Sequence, residues 1–334
     1  MAINKTSLLG KKTRIKGVKI IDPPPGIRPV REAGEPPEAL VNSMRGMGDN
    51  IFQRPYVATL CGLYDKVFID TPWPHLYADM PSNLILLSPK TNLRTQKKNA
   101  EKHKVEYHFY PRSIQALQTD LSVRKFNTGY RLTSENIYQE LDSKLPRSGF
   151  FFHMDPPNEW GDDLPFDPSE PYCLIRNTTT RNEWYAPSRN CLNKYLQYAA
   201  RKLSDRGIRI YEIADLHEGR EVLDGDPIEV ADQRFVKGEL GHPGLIWAFH
   251  NAAAIISPVG FPLLLAQMVK ANALILFGGH QRPEYFNLPD GTYGGIQWAA
   301  PEPFCSCHNR THRCNKKIPK KKIDEKLNII MGKM

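Results

Sequence analysis

The chain has 334 residues, 40% of them hydrophobic, a net charge of +9 and a sequence pI of about 9.1. That length exceeds one ordinary core and predicts two domains, and the apolar content excludes wholesale disorder. Six cysteines, scattered except for Cys305, Cys307 and Cys314, exclude a secreted disulfide scaffold and fit a reducing cytoplasm.

In chain order, residues 1–40 hold Lys and Arg followed by PPPGIRPV and GEPPE, the composition of a basic, Pro-rich leader. A short apolar run, Ala39–Val41, precedes the glycine-rich turn Met44–Pro55. Strands are expected at Val67–Asp70, Leu84–Ser88, Val105–Phe109 and Phe150–Met154, with helices between some of them. Asp155–Pro171 is dense in Pro, Asp and Gly and reads as an interdomain linker. Alternation then resumes. Strands are expected at Tyr172–Arg176, Ile208–Ile213, Ala254–Ser257 and Ala273–Phe277. Helices are expected at Ser188–Asp205, Pro243–Ala252 and Phe261–Val269. The apolar stretch Leu245–Phe277 is too interrupted by polar residues and prolines to span a membrane. The expected fold class is therefore α/β, with two Rossmann-like doubly wound domains facing a cleft. Their expected bounds are 41–165 and 166–320, with 321–334 as a basic tail.

Ligands of such sheets sit beyond the carboxyl ends of the strands, so the loops there are the candidate sites. In the first, Gly46 and Gly48 allow close backbone approach, and Asp49 at the helix start carries a carboxylate able to take a proton from a hydroxyl. A helix-capping role for Asp49 competes with that reading. In the second, Thr179, Thr180 and Arg181 follow a strand and suit diphosphate oxygens, against the alternative of a solvated polar turn. In the third, Ser257 and Gly260 precede an apolar helix, and Gly278 and Gly279 follow the next strand. These are positions for an anion at a helix N-terminus. The basic run Lys90–Lys104, with Arg94 and Lys97, could guide an anionic acceptor or form a solvated helix face. Cys305, Cys307, His308 and Cys314, with His312, have the donor chemistry of a structural zinc site; packing thiols are the alternative.

The order of these motifs resembles the family 9 glycosyltransferases, the family of the ADP-heptose:lipopolysaccharide heptosyltransferases, over roughly residues 40–320. The segment Gly48-Asp49-Asn-Ile-Phe-Gln-Arg-Pro55 looks like the family's N-terminal signature. Thr178–Trp184 looks like its threonine-rich diphosphate loop, and Cys305, Cys307 and Cys314 through Ile318 like its C-terminal cysteine segment. The resemblance implies the two-domain GT-B fold, Asp49 as catalytic base and a cytoplasmic enzyme, peripheral to the inner face of a membrane. It also implies a nucleotide-diphosphate sugar as donor, with no required cofactor. Acceptor contacts would come from Gly46, Gly48, Arg94 and Lys97. The chain departs from the family where Pro258, Val259 and Leu263 replace its usual Asp and His, and where only Arg181 stands near the expected lysine. The expected reaction is inverting, metal-independent transfer to an anionic glycan or lipid-linked acceptor, with modified DNA also open as acceptor. The alternatives are a non-catalytic nucleic-acid-binding protein with a zinc cluster, and a nucleotide-sugar epimerase.

Overall fold

The computed structural model describes residues 37–43, 45–91, 93–102, 107–108, 110–127, 153–183, 185–286, 295–305 and 315–332. The chain divides into two compact units, Met1–Phe151 and Phe152–Met334.

The described residues of unit 1 form four parallel strands, β1 (Glu38–Asn42), β2 (Lys66–Asp70), β3 (Leu84–Leu87) and β4 (Val123–Asn127), in the order β3-β2-β1-β4. Among the described residues three helices accompany them: α1 (Met47–Leu63), α2 (Arg94–Lys102) and α3 (Ile114–Thr119). Ala39, Leu40 and Val41 in central β1 are fully buried, as a strand covered on both faces requires. Leu40, Phe68, Ile85, Leu87, Leu117 and Val123 form one cluster. The Phe126 ring meets Tyr56 and Tyr64 edge-on at 5.9 and 5.7 Å.

Unit 2 carries six parallel strands: β5 (Tyr172–Arg176), β7 (Arg209–Ile213), β9 (Gln233–Phe235), β10 (Ala254–Pro258), β11 (Ala273–Leu276) and β12 (Ile296–Ala299). Their order, β12-β11-β10-β5-β7-β9, is the doubly wound 6-5-4-1-2-3 arrangement. A separate antiparallel ribbon pairs β6 (Thr179–Arg181) with β8 (Glu221–Leu223). The helices are α4 (Asn193–Ser204), α5 (Gly241–Asn251), α6 (Phe261–Met268) and α7 (Lys320–Met331). The parallel α/β expectation holds in both units.

Several local expectations change. The stretch expected as a linker, Asp155–Pro171, belongs to unit 2, whose boundary lies at Phe151/Phe152 instead of 165/166. It packs down because it carries aromatics. Phe166 stacks within 4.4 to 5.6 Å of Tyr172, Tyr211 and Phe235, and the Trp247 indole lies flat over Gly161, where a β-carbon would sit 2.6 Å from it.

The helix expected from Ser188 begins only at Asn193, after a 3₁₀ turn, Pro187–Arg189. The carbonyls of Pro187 and Asn190 accept from Lys316 Nζ at 2.7 and 2.8 Å, which diverts them from a helical ladder. The residues expected as a basic tail form α7 instead. Its apolar residues at i, i+4 and i+7, Ile323, Leu327 and Ile330, are buried in the unit 2 core with Leu196, Ala199 and Leu203 of α4. The strand expected at Val105–Phe109 falls largely outside the described residues. At Phe150–Met154 only His153 and Met154 are described, and they form no strand; the Met154 N–H instead donates to the Met268 carbonyl at 2.9 Å.

Candidate functional site

In unit 1 the doubly wound order places its switch point at the carboxyl ends of β1 and β4. The glycine-rich turn leaves β1 there and enters α1, with Gly46 as N-cap. Asp49 is thus the third residue of the helix, not its cap, and the one acidic residue of the first turn. A carboxylate there is favoured by the helix dipole and the open first-turn amides. It folds back over Gly46, so that a β-carbon at 46 would overlap Asp49 Oδ2. Gly48 and Asp49 are half-buried.

Residues outside the sequence predictions hold this turn in place. Asn50 is fully buried and central to them. Its Nδ2 donates to the Gly46 carbonyl at 2.8 Å, and its Oδ1 accepts from Thr71 Oγ1 at 2.7 Å and Gln53 Nε2 at 3.1 Å. Gln53 Nε2 also reaches Tyr77 Oη at 2.6 Å and Ser43 Oγ at 2.7 Å. Arg45 ties the turn to the end of β2 through the Asp70 carboxylate and carbonyl, and Trp73 Nε1 donates to the Arg45 carbonyl at 2.8 Å. Burial pushes the Asp70 carboxyl up, against the pull of Arg45. One turn further along α1, Arg54 is fully buried and makes a two-pronged bond to Asp79 at 2.9 and 2.6 Å. Polar residues at 50, 53 and 54 of a helix otherwise facing a core are the sequence signal for this network; all three stand inside the Gly48–Pro55 signature segment, where Asp49 is the only side chain given a role.

Arg94 and Lys97 lie on α2, Arg94 half-buried and Lys97 exposed.

In unit 2 the switch point lies between β5 and β10. Thr179, Thr180 and Arg181 emerge just beyond β5, as expected, but as strand β6 and not as an open loop. The fold there turns on Glu221, a buried carboxylate that the sequence gives no reason to single out. Its Oε1 accepts from Arg176 Nη2 at 2.9 Å and Thr179 Oγ1 at 3.0 Å, and its Oε2 pairs with Arg181 Nε at 2.9 Å. Arg181 is therefore gripped by its inner nitrogen. Its terminal nitrogens have no hydrogen-bond partner among the described residues. Arg176 is spent on Glu221, Thr179 and the Asn177 carbonyl, and burial holds its guanidinium below the ordinary range.

Asn177 and Asn193 fasten the base of the loop to the Asp226 carbonyl at 3.0 and 2.9 Å, and Asn177 also binds the buried Glu212 at 2.6 Å. Gly260 stands at the N-cap of α6 with φ 155° and ψ −156°, a conformation essentially confined to glycine. A β-carbon there would meet only Pro262 at 3.6 Å, so backbone conformation and not crowding is what calls for glycine. Ser257 is fully buried in β10, and its hydroxyl donates to the Pro258 carbonyl at 2.6 Å. The backbone of Gly278 lies against the Asn190 carbonyl with no space for a side chain. Gly279, with φ 159°, follows it.

Of the cysteine cluster only Cys305 is described; Cys307, His308, His312 and Cys314 lie outside the described residues. Among the described residues no group of three His, Cys, Asp or Glu side chains comes together as a metal site. No helix among them is long and apolar enough to cross a membrane.

No protein-family model matches the chain, and no curated protein sequence matches it. Solved structures do. The dodecameric iron-containing glycosyltransferase TibC from enterotoxigenic E. coli H10407 superposes with a TM-score of 0.52 at 11% identity, over 90% of this chain and 77% of that one. The heptosyltransferase TibC in complex with ADP-D-beta-D-heptose gives 0.50 at 12% identity, over 94% of this chain and 78% of that one. At such identity the likeness concerns the fold. That fold is heptosyltransferase-like, the α/β GT-B class, with a parallel sheet in each unit.

Proposed function

We propose that the chain is a glycosyltransferase that takes a sugar from a nucleoside-diphosphate sugar and passes it to an acceptor hydroxyl. One observation carries this reading. Each unit brings its polar candidate segment to the carboxyl end of a parallel sheet at the switch point, Gly46–Asp49 after β1 and Thr179–Arg181 after β5. The heptosyltransferase-like fold supports the same reaction class.

In this mechanism unit 2 holds the donor. The terminal nitrogens of Arg181, fixed from behind by Glu221, and the amides of α6 beyond Gly260 take the diphosphate oxygens. Thr179 is committed to Glu221, so its part is to set Arg181; the neighbouring Thr180 is half-buried on the same ribbon. Gly279 leaves backbone room at the end of β11. Ser257 and Gly278, both turned into the packing, shape the pocket wall without touching the ligand.

The acceptor, an anionic glycan, binds on unit 1. Asp49 removes the proton of its hydroxyl, the oxygen bonds to the anomeric carbon, and the bond to the diphosphate breaks with inversion. Arg181 and the α6 amides stabilise the charge left on the diphosphate.

A thermal-shift screen against nucleoside diphosphates and their sugars tests the donor half. A ligand at a hundred times its Kd adds about 2.7 kcal/mol of stability. The expected result is a clear shift with one base. No shift with any at millimolar concentration removes the reading. For the acceptor half, Asp49→Ala should keep the nucleotide shift and lose turnover by ~100-fold or more. Near-normal turnover would take Asp49 out of the role and leave it a helix-terminal residue.

A further inference from the structure

The helices α4 and α7 pack side by side, and their solvent side is strongly cationic. Residues 315–332 hold six lysines and two acidic residues. Lys194, Lys202, Lys317, Lys320 and Lys321 are exposed, and none has a carboxylate within ion-pair distance among the described residues. The side chains converge instead of scattering. The Lys202 and Lys320 ammonium groups, from different helices, sit on the same Tyr198 ring at 5.6 and 4.7 Å, and Lys194 lies over Tyr195 at 5.3 Å. Arg206 of the turn after α4 donates to Asn328 of α7 at 2.7 Å, which locks the two helices into one surface.

This arrangement costs the fold stability. Lys320, Lys321 and Lys322 fill the first turn of α7, which has no acidic residue and no side-chain cap. Cations are disfavoured at that end of a helix dipole. Lys322 and Lys326 repeat at a four-residue spacing on the helix, where like charges repel, while Lys320 and Lys321 have Asp324 and Glu325 four residues on. A helix kept only for its buried face has no need of these positions as lysine.

We propose that the α4–α7 face of unit 2 is a docking surface for the phosphodiester backbone of a nucleic acid. Charge complementarity supplies the attraction. The apolar residues of both helices favour this occupant over a lipid bilayer. Ile323, Leu327 and Ile330 are at most 2% exposed and lie in the core with Leu196 and Leu203; the large apolar side chains these helices do expose, Ile329 and the capping Leu192, are two isolated residues and not a stripe that could enter acyl chains. The proposal holds whatever the sugar or the acceptor.

The test uses the full chain and a short fluorescent duplex DNA, with anisotropy measured across a salt series. Parallel samples contain vesicles of phosphatidylcholine with phosphatidylserine. The wild type should bind DNA with log K falling steeply against log salt. Lys202→Glu/Lys320→Glu/Lys321→Glu, all at exposed positions, should weaken binding by at least about tenfold and flatten the salt slope by about three. The near-ultraviolet circular dichroism should stay unchanged. Wild-type binding that the variant retains in full, or no DNA binding at low salt, overturns the proposal. So does sedimentation with vesicles in the absence of DNA binding. Because no nucleotide sugar enters the assay, its outcome is separate from that of the transferase reading.

Discussion

Gly46 and Asp49 show how one residue fixes another. The carboxylate occupies the space a side chain at 46 would need, and a carboxylate at the end of a short side chain can swing away. Gly46→Ala should therefore lower the unfolding free energy by no more than about 1 kcal/mol, the scale of a lost helix cap. If Asp49 is the base, turnover should fall by ~10-fold or more as the carboxylate leaves its place. Equal turnover in the two proteins would show that its position is immaterial.

His242 is a second residue-scale case. Burial pushes its imidazole down to about 3, from an ordinary value of 6.5. The unfolded chain then takes up a proton near pH 6.5 that the folded chain refuses until about pH 3. The associated stability is present above pH 6.5 and is lost as pH falls through that window. Urea denaturation at pH 6.5 and pH 5 should show a loss of about 2 kcal/mol that His242→Phe removes. The same slope in both proteins would assign the acid sensitivity elsewhere. Neither residue's setting was visible beforehand. The sequence placed Asp49 at a helix start, but the fold of its side chain over Gly46 depends on backbone geometry. The burial of His242, beside Gly241 and Pro243, carries no local signal.

At the scale of elements, α1 is held by polar as much as apolar contacts. Arg54 and Asp79 bind each other out of water, and a buried pair reacts asymmetrically to mutation. Arg54→Met should cost about 3–5 kcal/mol by leaving Asp79 alone. Arg54→Met/Asp79→Leu should recover most of that loss. Additive losses in the double variant would mean that the two residues contribute separately. Elements with an apolar signature were legible: β2, β3, β5, β7, β10 and β11 fall within a residue or two of expectation, because each is a short apolar run between turns. The β6–β8 ribbon was hidden, since Thr179–Arg181 offers no apolar alternation and its partner lies some forty residues away. Helix α7 was obscured in a different way. Its apolar spacing is plain once Ile323, Leu327 and Ile330 are aligned, but the lysines dominate the composition.

Across the whole molecule, each unit has its own sheet and its own core. Helix α7 completes the core of unit 2. Burying Ile323, Leu327 and Ile330 stabilises it by about 1.5–3 kcal/mol each, comparable in sum with the stability of an ordinary domain. Ending the chain after Pro319 should abolish the calorimetric transition of unit 2 and leave that of unit 1. Loss of both transitions would show that the units do not melt separately. The doubly wound class was legible at this scale because alternation survives many local errors. The boundary was not, because Asp155–Pro171 has the composition of a linker while Phe166 packs it onto the sheet.

The strand order also sets a timetable. The four described strands of unit 1 occur before residue 128, so they can pair while most of unit 2 is still being translated. Unit 2 has no such freedom. Its central strand β5 emerges first, but β10, β11 and β12 must be added on one side, and α7 follows them all. Until that helix leaves the ribosome, the apolar face awaiting it stays uncovered on the nascent chain, the stage at which chaperones bind and aggregation begins.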